Sequence, residues 1–209
     1  MTTTRILFAG EGTSDNGLIP HIEAVAALGN QRVTVTAPDL DRLRLSNCHS
    51  VPDKLRALRD FNDDYDLIVI HRDADRASPD ERREEIEKAV ASEWPDCPHI
   101  GVVPVRMLEA WLLLDEASIR QVAENPNGRM KLNLPKGAAV ERVADPKKLL
   151  RDTLALASGY TGRRLDSFQK RFPRHRHKLL ERLDPYGPVT RLPSWQAFIN
   201  DLKVALRVA

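Results

Sequence analysis

Two acidic segments each follow directly on an apolar, strand-like run of the chain. Glu11 and Asp15 follow the first run, and Asp73 and Asp75 follow the most apolar run of the N-terminal half. In open α/β sheets, ligands bind just beyond the carboxyl ends of the strands, where these acids would lie. Carboxylate oxygens are hard ligands that favour Mg²⁺, Mn²⁺ or Ca²⁺ over zinc. The pattern therefore predicts a divalent-metal site at one edge of a sheet.

The acids at 73 and 75 form an Asp-x-Asp pair. If the backbone stays extended there, both carboxylates lie on one face and Ala74 points elsewhere. Two carboxylates at that distance repel each other, so one should bind a proton unless a cation lies between them. The alternative interpretation is that the pair caps the following loop, because aspartate is common in turns.

The first acidic segment lies in a loop that contains Gly10, Gly12 and Gly17. These glycines do not form the G-x-G-x-x-G phosphate-binding pattern, because Asp15 occupies its last position. Glycine lets the backbone turn sharply while Glu11 projects into the crevice. Asp15 has two interpretations, since it can bind the metal or cap the helix that follows.

Glu109 is the lone acid inside an apolar run. On a helix its neighbours would be Val105, Leu112 and Leu113. A carboxylate in such surroundings is costly unless it is paired or bound to metal. The alternative is a local ion pair with Arg106, three residues earlier, and spacing alone leaves both interpretations open.

The alternation of strand-like and helical stretches predicts an α/β fold with an open sheet of mainly parallel strands flanked by helices. We predict a sheet domain over residues 1–124 and a C-terminal helical region over residues 125–209, packed on it. The predicted strands cover residues 5–9, 32–36, 66–70 and 99–105. The predicted helices cover residues 18–28, 54–59, 79–94, 108–114, 116–123, 146–157, 165–172, 177–183 and 195–208.

Basic residues are concentrated in the C-terminal region, although the net charge of the whole chain is only +2. Nucleic acid binding needs a cationic track, in which Phe172, His175 or His177 could stack on bases. The alternative interpretation is an ordinary charged, solvated face. The candidate contacts to nucleic acid are Arg163, Arg164, Lys170, Arg171, Arg174, Arg176 and Lys178.

Composition points to a soluble protein of the cytoplasm. The 209 residues include no apolar run long enough to span a membrane, and the N-terminus lacks a signal-peptide pattern. Cys48 and Cys97 stand far apart, so a disulfide framework or thiolate zinc site is not expected.

Together these motifs resemble the Toprim fold, in particular its OLD-nuclease-like branch. In that family an acid follows the first strand and an Asp-x-Asp pair follows the third, as Glu11 and Asp73–Asp75 do. The OLD-like branch has a further acid four residues after the first glutamate, which Asp15 matches. The segments Glu109–Asp115 and Asp145–Leu150 are similar to small stand-alone Toprim-like proteins of bacteria.

The resemblance implies one or two Mg²⁺ or Mn²⁺ ions held by Glu11, Asp15, Asp73, Asp75 and Glu109. It implies a catalytic role for Glu11, and for Lys147 as the basic residue near the scissile phosphate. The alternative interpretation of Lys147 is an ordinary surface lysine near a helix N-terminus. Phosphodiester hydrolysis by two ions roughly 4 Å apart is the expected chemistry.

The chain lacks the ATPase domain of the large OLD proteins, so an ATPase partner would be a separate chain. Relatives of this kind are often linked to phage defence, which implies an antiviral role. Three functions remain open: a nuclease acting on DNA or RNA, a Toprim nucleotidyl- or phosphoryl-transfer enzyme, and a non-catalytic partner subunit.

Overall fold

The computed structural model describes residues 3–40, 42, 50–62 and 64–208. Its sheet contains four strands: β1 (Thr4–Ala9), β2 (Val33–Thr36), β3 (Leu67–His71) and β4 (His99–Val102). All neighbouring strands are parallel, and their order is β2-β1-β3-β4. The predicted α/β class with an open parallel sheet is confirmed.

Nine α-helices occur in the described part of the chain. Four belong to the sheet region: α1 (Ile19–Leu28), α2 (Val51–Phe61), α3 (Pro79–Glu93) and α4 (Glu109–Leu112). The other five form the C-terminal half: α5 (Glu116–Val122), α6 (Pro146–Ser158), α7 (Gly162–Lys170), α8 (Phe172–Arg182) and α9 (Pro193–Ala205).

The start of α8 differs from the prediction. The helix expected from residue 177 begins at Phe172 instead, so the basic segment is helical. Pro173 lies in its first turn, where the missing N–H group of proline would have no helical acceptor in any case. The proline therefore starts this helix and does not interrupt it.

Both faces of the sheet are covered, because alternate residues of each strand point to opposite sides. Leu7 and Ile68 pack in a cluster with α2 and α3 on one face. Ile6 and Phe8 belong to a larger cluster on the other face, which also contains Trp195 of α9. The C-terminal helices thus share a hydrophobic core with the sheet.

No described helix is long and apolar enough to cross a membrane. Cys97 is a buried free thiol, and burial with the charge of Asp66 raises its pKa to about 11. Cys48 lies outside the described residues.

Candidate functional site

The two predicted acidic segments meet at the carboxyl ends of β1 and β3. These strands are neighbours, with Ala9 aligned to Ile70. From β1 the chain moves to β2 on one side, and it then returns to form β3 on the other side. The order therefore places a topological switch point between β1 and β3. Across it, the backbone N–H of Asp73 donates to Oε1 of Glu11 over 3.3 Å.

Asp15 is buried in the short 3-10 helix Thr13–Leu18 that follows β1, and both of its carboxylate oxygens are bonded. Its Oδ2 accepts from the backbone N–H groups of Glu11 at 2.8 Å and Gly12 at 3.1 Å, and from Nδ1 of His71 at 2.9 Å. Its Oδ1 accepts from the Arg176 guanidinium. Burial acts to raise the pKa of Asp15, but His71 and Arg176 outweigh it and hold that pKa well below its usual range.

His71, the last residue of β3, joins two of the predicted acids. Its Nδ1 bonds to Asp15, and its Nε2 lies 3.1 Å from Oδ1 of Asp73. Burial alone would lower the pKa of His71, but attraction and hydrogen bonds from Asp15 and Asp73 raise it to about 10. The imidazole is therefore a buried cation between two carboxylates.

Arg176 joins Asp15 to Glu109. Its Nε donates to Oε1 of Glu109 over 2.8 Å, and its Nη1 donates to Asp15 and, over 2.8 Å, to Oγ of Ser14. The residue is only 6% exposed. Arg176 therefore departs from its predicted role in a nucleic-acid track, because its guanidinium is enclosed by the acids.

Glu109 is buried at the start of α4, as its apolar neighbours suggested. The local ion pair with Arg106 does not form. The Arg106 guanidinium instead donates to the backbone carbonyl of Asp75 over 3.0 Å. The partner of Glu109 is Arg176, which lies 67 residues later in the chain.

The Asp-x-Asp pair does not remain extended. Asp73 Oδ1 accepts from the backbone N–H of Leu108 over 3.0 Å, but Asp75 has a left-handed backbone with φ of 53°. The N–H of Asp75 donates to the Arg106 carbonyl over 2.8 Å, which holds this turn in place. The assumption that alternate side chains share a face therefore fails at Asp75.

Glu11 lies at the outer rim of these acids, with 31% of its side chain exposed. Arg72 donates from Nη1 to Oε1 of Glu11 over 2.5 Å, and its Nε lies 3.3 Å from Oε1 of Glu85 on α3. The Lys54 ammonium donates to the carbonyl groups of Gly10 at 3.0 Å and Glu11 at 3.2 Å. The crevice therefore contains cations as well as acids.

The five predicted metal ligands differ in how well they suit a metal ion. Asp15 does not fit, because both of its oxygens are already bonded to His71, Arg176 and the backbone. Glu109 retains Oε2, but it is only 2% exposed and Arg176 already neutralises its charge. Glu11 and Asp73 each retain one carboxylate oxygen without a hydrogen bond to any described residue, and Asp75 retains both. These three supply hard oxygen donors and fit a divalent cation by chemistry.

As they stand, however, no three acidic, histidine or cysteine side chains of the described residues are grouped closely enough to hold one ion. A divalent ion held by these acids would need a rearrangement of side chains at the rim. Glu11 and Asp75 are the residues that can move, because neither is buried.

Lys147 is exposed on the first turn of α6, and no bond within the described chain joins it to the acids. Its predicted catalytic role stays a prediction. The other predicted nucleic-acid contacts lie on α7, at its junction with α8, or on α8. All six are exposed: Arg163, Arg164, Lys170, Arg171, Arg174 and Lys178. Of the predicted stacking residues, Phe172 and His175 are buried, and His177 is half-buried.

Sequence reasoning missed His71 and Arg72, although both lie between the predicted strand and the predicted acids. One indication was available for His71. It ends a strand that is otherwise wholly apolar, and a polar side chain in such a place needs a buried partner. Its position two residues before Asp73 is also the spacing of residues that share a strand face.

Protonation of His71 predicts a pH dependence of stability. The folded pKa of about 10 lies above the unfolded value of 6.5, so the folded state binds more protons between these values. The stabilisation is complete below about pH 6.5 and is lost as the pH rises towards 10. We expect the free energy of unfolding, measured with urea, to fall across this range.

The control is His71→Gln, which can still donate a hydrogen bond but does not titrate. Its free energy of unfolding should be lower at neutral pH and should change less between pH 6.5 and 10. Parallel pH profiles for the two proteins would assign the decline to other groups.

Comparison with known proteins places these residues in a family. A family model described as a domain of unknown function (DUF4276) matches residues 11–203. The matched region includes all five predicted acids and Arg176 on α8. No curated protein and no solved structure shows a significant match to the chain.

Proposed function

The chain belongs to the DUF4276 family, and we propose that it is a divalent-metal-dependent nuclease of the Toprim type. Glu11, Asp73 and Asp75 would hold Mg²⁺ or Mn²⁺. The substrate would be DNA or RNA, whose phosphodiester bonds are hydrolysed.

The observation that carries this proposal is the position of the acids at the switch point. Glu11 follows β1 and Asp73 follows β3, and the two residues are joined by a hydrogen bond across the crevice. Ligands of open parallel sheets bind at this place. Three carboxylates with unused oxygens there supply a donor set suited to a hard cation.

When bound, the metal would supply Lewis-acid charge to the phosphate and an activated water. Glu11, Asp73 and Asp75 would hold the metal ion in place. Glu11 is also the candidate general base, since it is the most exposed acid that contacts the opposite strand end. Lys54 already donates to the backbone of Glu11 and would restrict the movement of this loop.

Arg72 would exchange its partner during binding. It now neutralises Glu11, and its guanidinium is suited to a bidentate contact with phosphate. When Arg72 is released from Glu11, its guanidinium would lie near the substrate. Its ion pair with Glu85 would keep it at the crevice. Lys147 is proposed as a further cation near the phosphate, on the resemblance alone.

An antiviral role with a separate ATPase chain extends this proposal and rests on the same resemblance. Purification of the complex from its native host would identify that partner.

The proposal is tested by titrating Mn²⁺ into the purified full chain by calorimetry and then assaying cleavage of DNA and RNA. We expect binding and cleavage in the wild type and the loss of both in Asp73→Ala. Glu11→Gln should weaken both Mn²⁺ binding and cleavage. Glu84→Gln is the matched control, because Glu84 is an exposed acid on α3.

Three other outcomes would contradict the proposal. Incorporation of labelled nucleotide in place of hydrolysis would favour a transfer enzyme. Absence of Mn²⁺ binding by the folded wild-type protein would favour a non-catalytic subunit. Equal loss of cleavage in Glu84→Gln would show that the effect is not specific to the switch point.

A further inference from the structure

Helix α8 presents basic residues on two different sides. Arg176 points inward to the buried acids. Arg174, Lys178 and Arg182 follow one another at intervals of four residues, so they form one row along the outer side. All three are exposed. The outer row is therefore separate from the candidate metal site.

This row forms one wall of a pocket between α8 and the end of α5. The pocket has a volume of about 180 Å³. Its lining residues are Gln121, Val122, Glu124, Arg171, Arg174, His175, Lys178 and Arg182. Four cationic side chains thus converge on a recess with a single acid, and the recess is open to solvent.

The polar contacts inside the pocket leave much of this positive charge unmatched. Nη1 of Arg171 lies 3.5 Å from Glu124, and Nη1 of Arg182 donates to Oε1 of Gln121, a neutral group, over 2.6 Å. Arg174 and Lys178 have no side-chain partner among the described residues. Like charges at this helical spacing repel each other, so an anion in the pocket would relieve the repulsion.

Glu124 is the acidic residue that lines the pocket, and its carboxylate would repel an anion. That carboxylate already has partners within the protein. Its Oε2 accepts from the hydroxyl of Tyr160 over 2.7 Å, and Arg164 donates to the same hydroxyl over 2.8 Å. The ring of His175, packed 4.2 Å from that of Phe168, forms a buried wall.

We infer that the pocket between α5 and α8 binds a phosphate group of a nucleotide or a nucleic acid strand. Arginine guanidinium groups form bidentate hydrogen bonds with phosphate oxygens, and Lys178 supplies a further point charge. The row of Arg174, Lys178 and Arg182 spans about 12 Å along the helix. It is therefore long enough to contact more than one phosphate of a nucleic acid strand.

This inference rests on the proposed function only for the identity of the phosphate carrier. Binding in the pocket needs no metal, and the residues concerned are not among the proposed metal ligands. A measurement in the presence of EDTA therefore tests the pocket while cleavage is switched off.

The test is fluorescence anisotropy of a labelled single-stranded oligonucleotide with the full chain, in EDTA, at several salt concentrations. We expect the Arg174→Ala/Lys178→Ala double variant to bind at least about ten-fold more weakly. The slope of log K against log salt should decrease by about 0.7 for each phosphate that the variant no longer neutralises. The matched control is Arg32→Ala/Arg129→Ala, which removes two exposed arginines elsewhere.

An unchanged slope in the pocket variant, or the same weakening in the control, would overturn the inference. Competition identifies the carrier of the phosphate. Displacement of the oligonucleotide by inorganic phosphate or a nucleoside monophosphate would indicate a site for a single phosphate group. Displacement by unlabelled oligonucleotide alone would indicate a site that follows the strand. Wild-type binding without cleavage when Mn²⁺ is added would contradict the nuclease proposal and leave the pocket supported.

Discussion

Replacing Arg176 with methionine should lower the free energy of unfolding by about 3–5 kcal/mol. The change leaves the carboxylates of Asp15 and Glu109, each 2% exposed, without their shared cation. An uncompensated buried charge is far more costly than the removal of a surface ion pair. The corresponding decrease in melting temperature is roughly 6–20 °C for a chain of this size, measured by calorimetry and urea unfolding.

Arg174→Met is the matched control, since this arginine lies two residues away on the exposed side of α8. It should change stability by no more than about 0.5 kcal/mol. Arg176→Lys should give an intermediate loss, because one ammonium group cannot reproduce the fork that reaches Asp15, Ser14 and Glu109.

Adding Glu109→Gln to Arg176→Met should recover part of the stability, because it removes the buried charge that has lost its ion-pair partner, whereas Asp15 keeps His71. Further destabilisation by this second change would contradict the ion-pair explanation. So would equal effects of methionine at positions 174 and 176.

The second large effect concerns activity. Asp75→Asn should reduce metal-dependent cleavage by about 100-fold or more, because removal of a metal ligand takes away several kcal/mol of transition-state stabilisation. The carboxylate of Asp75 accepts no hydrogen bond from the described residues, and it interacts with Arg72 only through its charge, beyond ion-pair distance. Its neutralisation should therefore leave the fold intact. Stability should therefore change by no more than about 0.5 kcal/mol.

Asp96→Asn is the control for this experiment. Asp96 is exposed and precedes β4, so it lies at the opposite end of the sheet from the candidate site. Cleavage by the control should match that of the wild type. Full activity of Asp75→Asn would remove this residue from the proposed ligand set, and a large loss of stability would show an unrecognised structural role.

Much of the fold could be predicted, because short stretches of sequence determine where its strands and helices begin. The apolar run that became β3 and the Ser-Pro start of α3 are visible in the sequence. The parallel order follows from alternating strands and helices. The convergence of Glu11 and Asp73 at one edge follows in turn, since parallel strands end on the same side.

The need for a cation near the acids also follows from the sequence, because Glu109 stands alone among apolar residues. The identity of that cation does not. Arg176 reaches Glu109 only because α8 packs against the 3-10 helix Thr13–Leu18 after β1. Sequence spacing carries no information about a contact between residues 67 positions apart. For the same reason, one arginine of a uniformly basic segment is buried while its neighbours form the outer row.

Local chemistry therefore specified which side chains would have to be neutralised, and long-range packing selected the groups that do it. At Asp75 the left-handed backbone depends on a hydrogen bond to Arg106, which lies in the segment after β4. Such a contact exists only when the two strand ends have been brought together. The free energy that holds the residue there comes from the assembled sheet, not from its immediate neighbours.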